Sequence, residues 1–539
     1  MVRYAEALEG VVHAEENTFS CSIDSITHMV EIITEKGLNR VVVAACTPRT
    51  HEPVFQDALR QAGINPYLFE MCNIREHCSW VHMGDRQEAT RKARDLVRMA
   101  VTKARVLKPL SRVPYDIIPA ALVIGGGISG MVSALSLANQ GFSVHLIERS
   151  GELGGMGLKI HFTVEKGDVR SYVRELIQEV YKNLLIQVHT EADITGFSGY
   201  VGNFTTEIAV GRERIVKEID HGVTIVATGA KEFRPDEYLY GQDPRVFTLL
   251  ELEKEIETNS NSFDHCSCLV MIQCVGSRES ERPYCSRVCC TQAVKNALKL
   301  KEINPDMEIY VLYRDMRTYG FREEFYREAA EQGVKFIRYE ADDKPDVQVA
   351  EESGRSVLRV IVTEPTLGQR LMIDADMLAL GVATVPRTGN RKLSRMLKVP
   401  LNEDGFFMEA HMKLRPVDFA TDGIFMCGLA HGPKFIDESI AQAQAAASRA
   451  TTILSKDEMM AGGRVCTVEA LKCTGCGVCQ EVCPFTAITV DPKEKVAHVN
   501  EALCKGCGLC ASSCRSGALD VMGFSEEQTM SLIDACMTG

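Results

Sequence analysis

The pattern C-x2-C-x2-C-x3-C occurs twice near the C-terminus, and nothing else in the chain restricts its folding so tightly. Cys473, Cys476, Cys479 and Cys483 form one run, and Cys504, Cys507, Cys510 and Cys514 repeat it 31 positions later. Each copy ends in a short apolar strand pattern, residues 487–490 and 518–521. A duplicated module of this size is too small for a large core, so bound metal must supply part of its stability. The spacing is that of two 4Fe-4S cubanes: three close thiolates wrap one cluster, and the fourth crosses to the other. This assigns Cys473, Cys476, Cys479 and Cys514 to one cluster, and Cys504, Cys507, Cys510 and Cys483 to its neighbour. Gly475, Gly477, Gly506 and Gly508 let the backbone pass close and aim amides at the sulfurs. Pro484 follows the first run, whereas Arg515 stands at that place in the second, a change expected to shift one potential without abolishing binding. Two four-cysteine zinc sites would need C-x2-C knuckles separated by a longer loop.

Cysteine is abundant elsewhere too, 21 residues in a chain of 539. A secreted disulfide scaffold would begin with a signal peptide. The first 25 residues carry Arg3, Glu6, Glu9, Glu15 and Glu16 and no apolar stretch. The expectation is a reducing, cytoplasmic setting in which clustered cysteines mean metal. A formal net charge of -13 argues against a nucleic acid or an anionic membrane as the main partner. The uncharged stretch from Pro119 to Gln140 could span a bilayer by length, but four glycines within six residues mark it as strand, turn and helix. No transmembrane segment is expected.

The chain divides into three parts: residues 1–115, 116–455 and 464–539, with a polar, Gly-containing link at 455–463. In the first, an apolar strand at 40–45 runs into Cys46-Thr47-Pro48-Arg49, a turn placed to cap a helix from about Pro53 to Ala62. The second reads as β-α-β units closed by an Ala-rich helix, residues 440–454.

The second part opens on a full G-x-G-x-x-G. A buried strand at 121–124 leads to Gly125, Gly127 and Gly130, then a helix, then a strand at 143–147 that delivers Glu148 and Arg149. Glycine permits the tight turn and the approach of bare backbone to a pyrophosphate, and the helix N-terminus favours the anion. Glu148 can accept both hydroxyls of an unphosphorylated ribose. Alone, this fingerprint leaves FAD and NAD comparable. Gly154, Gly155 and Met156 after the ribose acid, and Ala227, Thr228 and Gly229 downstream, resemble the G-G and A-T-G signatures of two-dinucleotide-binding flavoproteins, which decides for FAD. The last strand, ending at Gly428, matches the segment where such proteins return to the flavin. Leu429 stands where an acid that contacts the ribityl chain is usual, and a helix from about Asp437 points its positive end toward the flavin ring. A relative using NADPH would carry a second fingerprint about midway. There the chain has Cys274, then Cys285, Cys289 and Cys290 opening a helix. The spacing leaves three readings of these thiols open: an unusual cluster, a redox disulfide or buried free thiols.

Taken together, the sequence resembles the iron-sulfur flavoprotein subunit of heterodisulfide reductase over nearly its whole length. The resemblance rests on residues 46–53 (CTPRTHEP), 73–82 (NIREHCSWVH), 273–278 with 284–290 (QCVGSR and YCSRVCC), and 428–434 (GLAHGPK). It implies an α/β, thioredoxin-reductase-like flavoprotein core with an inner subdomain at about 260–380, a small α/β N-terminal domain and an α+β two-cluster ferredoxin tail. It implies FAD and three 4Fe-4S clusters, the third on Cys274, Cys285, Cys289 and Cys290, and it places Lys434 near the flavin ring. The family usually begins with a strand carrying a C-x-C-G element, and this sequence starts after it. Cys21, Cys46 and Cys78, with Cys72 as a stand-in, could hold a fourth cluster or be free thiols. The two-cluster module that many relatives insert after the first flavin segment is also missing. The activity implied is electron transfer, with electron pairs split at the flavin between a ferredoxin route and a disulfide-type route. The partners implied are other heterodisulfide-reductase-like subunits, a hydrogenase- or formate-dehydrogenase-type donor and ferredoxin, with a dimer inside the larger complex. Rival readings are a non-bifurcating relay in a quinone-linked or aromatic-ring-reducing complex and a structural hub.

Overall fold

A computed structural model describes residues 1–352, 354–366 and 368–538. The chain forms two compact units, residues 116–457 and residues 1–115 together with 458–539.

The first of these contains the same layered plan twice. Its leading sheet is parallel and five-stranded, in the spatial order Ile424–Met426, Val223–Val226, Ala120–Ile124, Ser143–Ile147, Ile186–His189. Ala120–Ile124 is buried throughout, as a central strand covered on both faces must be. The helices Ile128–Ala138, Val169–Lys182 and Ile436–Leu454 supply the covering side chains, including Met131, Val173 and Ala446, all at zero exposure. Ala443, Ala447 and Ala450 keep Ile436–Leu454 slim enough to lie close to Ile128–Ala138, where Ser133 Oγ donates to the Ala443 carbonyl at 3.2 Å. The second sheet is also parallel and five-stranded: Val246–Thr248, Met377–Val382, Cys268–Val275, Glu308–Tyr313, Lys335–Arg338. Each sheet is accompanied by a three-stranded antiparallel one, formed by Ala192–Tyr200, Asn203–Val210 and Ile215–His221 in one case and Asp346–Glu352, Arg355–Glu364 and Gln369–Ala375 in the other. The second plan is inserted into the first, and the antiparallel pair Ala230–Glu232 with Thr384–Pro386 marks its entry and exit.

Buried charge fastens the insertion. Glu253 is fully buried in the helix Leu249–Thr258 and pairs at 2.9 Å with Lys295 of the helix Cys289–Ile303. Glu253 Oε1 accepts the His161 and Phe162 amides, and Lys295 Nζ donates to the Phe162 carbonyl at 2.6 Å. Two helices of the second sheet thus grip the loop beyond the G-G segment of the first.

In the other unit, the strands Val41–Ala45 and Phe69–Asn73 pair in parallel beside the helices Ile23–Glu35, Pro48–Gln61 and Arg86–Arg105. The helix expected from Pro53 begins at Pro48, and Pro53 lies within it. The tail residues build two short antiparallel pairs, Cys466–Val468 with Leu519–Val521 and Ile488–Val490 with Ala497–Val499, around the five-residue helices Val478–Val482 and Leu509–Ser513. The tail belongs to the same compact unit as the first 115 residues: Arg464 pairs with Glu52 at 2.7 Å, and Arg98 Nε donates to the Ala535 carbonyl at 3.0 Å. Part of the expected link is itself a strand, Glu458–Gly462, paired with Arg112–Asp116. Among the described residues, no helix is long and apolar enough to cross a membrane.

Candidate functional site: a flavin cavity and its neighbouring thiols

Strand Ala120–Ile124 ends at Gly125, whose φ of +114° is a backbone state L side chains rarely adopt. A Cβ there would run into the Ala227 carbonyl oxygen, and one on Gly130 would run into the carbonyl of Gly125. Gly127 caps the following helix and faces open space. The three glycines thus serve the turn, the approach of a ligand and the close packing of helix on strand.

The turn opens into a cavity of about 600 Å³. Of the residues singled out from sequence, Gly125, Gly127, Glu148, Arg149, Gly155, Met156, Thr228, Gly229 and Lys434 line it, as does Leu429. Gly130, Gly154 and Gly428 support it from behind: a Cβ on Gly154 would press on Leu158, and one on Gly428 on Ser129. Glu148 Oε2 accepts the Gly126 amide at 2.7 Å, while Oε1 accepts the Ser150 amide and hydroxyl. A carboxylate offers about four lone-pair directions, so ribose hydroxyls can still be accepted. Ile436 and Ser439 bring the first turn of helix Ile436–Leu454 to the cavity wall.

Two lining residues escaped the sequence reading. Arg387 has a buried Nε with no partner, and burial beside Arg149 pulls its pKa below the usual range. An unsatisfied guanidinium N–H next to a second cation is what an anionic pyrophosphate relieves. Asn390 accepts from the Thr228 hydroxyl at 3.3 Å. No local motif marks either residue, because both arrive from beyond the inserted sheet.

Lys434 donates to the carbonyls of Gly428 at 2.7 Å and Gly432 at 2.9 Å. Burial, reinforced by Arg287, pulls its ammonium down to about 8, and Cys427, Glu438 and Glu409 pull the other way. Behind it runs a chain of contacts: the Gly428 amide donates to Gln442 Oε1 at 2.9 Å, Gln442 Nε2 meets His431 Nδ1 at 2.8 Å, and His431 Nε2 meets Glu409 Oε2 at 2.8 Å. The segment around Lys434 is therefore held rigidly where it borders the cavity. A glycine cradle, an acid for the ribose, unpaired cationic donors and a lysine in the lining fit FAD.

The corresponding turn of the second sheet is built differently. Cys274 adopts a φ of +62°, and a Cβ on Gly276 would strike the Phe233 ring, which lies under Arg282 at 4.2 Å. The place a second pyrophosphate would take holds an aromatic ring. Cys274, Cys285, Cys289 and Cys290 are close enough to act on one another. Burial and the Cys290 thiol push Cys274 up, Arg278 and Arg314 draw it back, and Cys289 feels all three of the others. Four thiols ringed by Arg278, Arg314 and Arg317 suit a cluster of net negative charge.

In the tail, Cys504, Cys507, Cys510 and Cys483 line one cavity, the set in which the fourth cysteine crosses over. Cys473 and Cys476 both act on Cys479, and Cys514 packs against the same small core. Backbone amides point at sulfur: Cys466 N to Cys504 at 3.3 Å, Ala487 N to Cys483 at 3.3 Å and Ala497 N to Cys473 at 3.4 Å. Gly475 and Gly506 have φ of +66° and +61°, with the carbonyls of Lys495 and Arg464 where a Cβ would sit. Cys466, which sequence reasoning passed over because it belongs to neither run, also borders this cavity. Among the described residues, no three His, Cys, Asp or Glu side chains converge tightly enough for a single metal ion. A cubane carries its thiolates on four separate irons, a wider spacing.

The N-terminal thiols fall into two pairs. Cys72 is pushed up to about 12 by burial, with Glu70 and Cys78 adding to it, and Cys78 Sγ donates to the Ala89 carbonyl at 2.9 Å. Cys46 and Cys21 both act on Arg75.

Two family models match segments of this layout. Residues 472–527 match the model of a 4Fe-4S dicluster domain, and residues 123–173 that of an NAD(P)-binding Rossmann-like domain. The chain is 36% identical over 628 aligned positions to one subunit of the H(2):CoB-CoM heterodisulfide,ferredoxin reductase of Methanothermobacter thermautotrophicus, covering 99% of this chain and 94% of that protein. It is 35% identical to a CoB–CoM heterodisulfide reductase iron-sulfur subunit of Methanocaldococcus jannaschii, covering 99% and 95%. Among solved structures, T. acidophilum thioredoxin reductase aligns with a TM-score of 0.44 at 14% identity, over 62% of this chain and 97% of its own. Identity at this level, sustained along the whole chain, means that the protein belongs to the family of heterodisulfide reductase iron-sulfur flavoprotein subunits, oxidoreductases that transfer electrons with FAD and 4Fe-4S clusters.

Proposed function

We propose that this chain is the flavin-bearing subunit of a cytoplasmic heterodisulfide-reductase-like complex and divides electron pairs between a low-potential ferredoxin route and a high-potential disulfide-type route. Lys434 carries the reading: a buried ammonium, held by two carbonyls, bordering the cavity in which the glycine turn also ends. In the proposed arrangement, Gly125, Gly127 and Arg387 take the pyrophosphate, Glu148 takes the ribose, and Thr228, Gly229, Gly428 and Lys434 surround the ring system. When bound, FAD would supply the exchange between two-electron and one-electron chemistry that no side chain provides. Cys274, Cys285, Cys289 and Cys290 would hold one cluster, and the eight tail cysteines two more. Lys434 and the first turn of helix Ile436–Leu454 would set the charge felt by reduced flavin. The phenylalanine-filled turn of the second sheet favours electron entry through clusters over entry from a nicotinamide. Relatives are named for H2, formate or F420H2 as donors and for ferredoxin. By analogy, the partners are a hydrogenase- or formate-dehydrogenase-type donor, the disulfide-reducing subunits and ferredoxin.

The second reading is a non-bifurcating relay. It draws on the run from Met156 to the helix Val169–Lys182, which contains no C-x2-C and hence no inserted cluster module.

Anaerobic reconstitution tests both the cofactors and the activity. The expected content is one FAD with about twelve irons, rising to about sixteen if Cys21, Cys46, Cys72 and Cys78 hold a further cluster. Under a mid-potential reductant, ferredoxin should be reduced only while a high-potential acceptor is also present. Reduction of the high-potential acceptor alone, with ferredoxin never reduced, would establish the relay.

A further inference from the structure

Arg287 lies between two of the four thiols and reaches the segment that carries Lys434. Its backbone is left-handed, with φ of +62°, a state a long side chain adopts only where its surroundings compensate. From that position its amide donates to Cys285 Sγ at 3.3 Å. Its guanidinium extends the other way: Nη1 donates to the Pro433 carbonyl at 3.1 Å, and Nη2 to Glu438 Oε1 at 2.7 Å and to the Tyr319 hydroxyl at 2.6 Å. The other oxygen of Glu438 accepts the Phe435 amide at 2.8 Å, closing the first turn of helix Ile436–Leu454. Pro433 and Phe435 flank Lys434 directly. One side chain therefore runs from the thiol loop to Pro433 directly and, through Glu438, to Phe435, the two neighbours of the lysine at the flavin cavity.

We infer that Arg287 is a positioning residue that ties the cluster on Cys274, Cys285, Cys289 and Cys290 to the Lys434 segment, so that the potentials of cluster and flavin are set together. The inference rests on the reading of those thiols as a cluster site and of the cavity as the FAD site. Two properties of arginine suit it. The planar fork serves a carbonyl and a carboxylate at once, which an ammonium cannot match, and its fixed positive charge lies where electrons added on either side are stabilised. The side chain acts through its neighbours and does not touch a reacting atom.

The test is a redox titration of the reconstituted holoprotein, following flavin by absorbance and each cluster by EPR. Arg287→Met should lower the midpoints of the flavin and of this one cluster while leaving the two tail clusters unchanged. Arg287→Lys, which keeps the charge and loses the fork, should move the flavin in the same direction by less. Glu438→Gln should move the flavin midpoint the opposite way, and its shift in the Arg287→Met background should differ from its shift alone, because the two groups are coupled. If Arg287→Met fails to load its cluster, Arg287→Lys and Glu438→Gln decide the matter by the flavin midpoint alone. An unchanged flavin midpoint in the loaded variants, or shifts from Arg287→Met and Glu438→Gln that simply add, would overturn the inference. A wild-type protein lacking FAD or the third cluster overturns the underlying reading instead, and cofactor quantitation before the titration separates the two failures.

Discussion

Two strand–turn–helix units in this protein share a scaffold and differ in the turn. After Ala120–Ile124 the chain turns on bare glycine, leaving a cavity that a lysine also lines. At the end of Cys268–Val275 the backbone turns left-handed at Cys274 and again at Gly276, and Phe233 fills the space beside Gly276. The parallel sheets, strand counts and accompanying antiparallel sheets match. The comparison teaches that a dinucleotide site is a property of the turn and not of the sheet. Removing the glycines' free space removes the pyrophosphate's place, and the cluster proposed on Cys274, Cys285, Cys289 and Cys290 would give that location to a different cofactor.

The largest effect should follow from filling the first turn. Gly130→Val forces a side chain into the Gly125 carbonyl, so the purified protein should lose its bound FAD, read by absorbance, while the tail retains its iron. Retained flavin would break the comparison. Conversely, Cys289→Ser should remove about four irons, one cubane's worth, and leave FAD in place.

The joint between the two sheets comes next. Glu253→Ala leaves the Lys295 ammonium buried without its carboxylate and should cost about 3–5 kcal/mol in unfolding of this unit. Glu253→Gln, which keeps an acceptor for the His161 and Phe162 amides, should cost less.

A smaller effect is expected at Lys434. Its ammonium is charged below about pH 8 and neutral above it. It should therefore raise the flavin midpoint relative to Lys434→Met at pH 7, and that difference should shrink as the pH rises through 8. A difference constant from pH 6 to 10 would show that the lysine's charge does not reach the flavin. The smallest effect should come from Cys466→Ser. Its amide serves Cys504 and its thiol hydrogen-bonds Cys510, a contact a serine hydroxyl can replace, so the iron content of the tail should stay unchanged.

Much of this was legible in the residues. The tail's thiol spacing assigns Cys483 to the cluster of Cys504, Cys507 and Cys510, and these four cysteines line one cavity together with Cys466. The G-x-G-x-x-G, with its acid at Glu148, predicted the cavity that Glu148 now borders. These signals are local: contiguous residues make the turn, and spacing along the chain is spacing in space. Arg387 and Asn390 were not legible, since they reach the same cavity from the far side of a long insertion and no spacing rule connects them to Gly125. The link expected at 455–463 does contain the boundary between the two units, at Asp457, but the strand within it was not legible for a related reason. Its polar composition suits a loop, yet Glu458–Gly462 finds a strand partner in Arg112–Asp116, more than 340 residues earlier.

By itself, the sequence determined which cofactors the chain is chemically equipped to hold, because thiol spacing and glycine turns act over a few residues. The tertiary structure decided what those cofactors sit beside. Folding brought Arg287 to the neighbours of Lys434, placed Phe233 in the second turn and joined the tail to the first 115 residues in one compact unit. Such pairings depend on side chains distant in sequence meeting in three dimensions, and no local pattern encodes them.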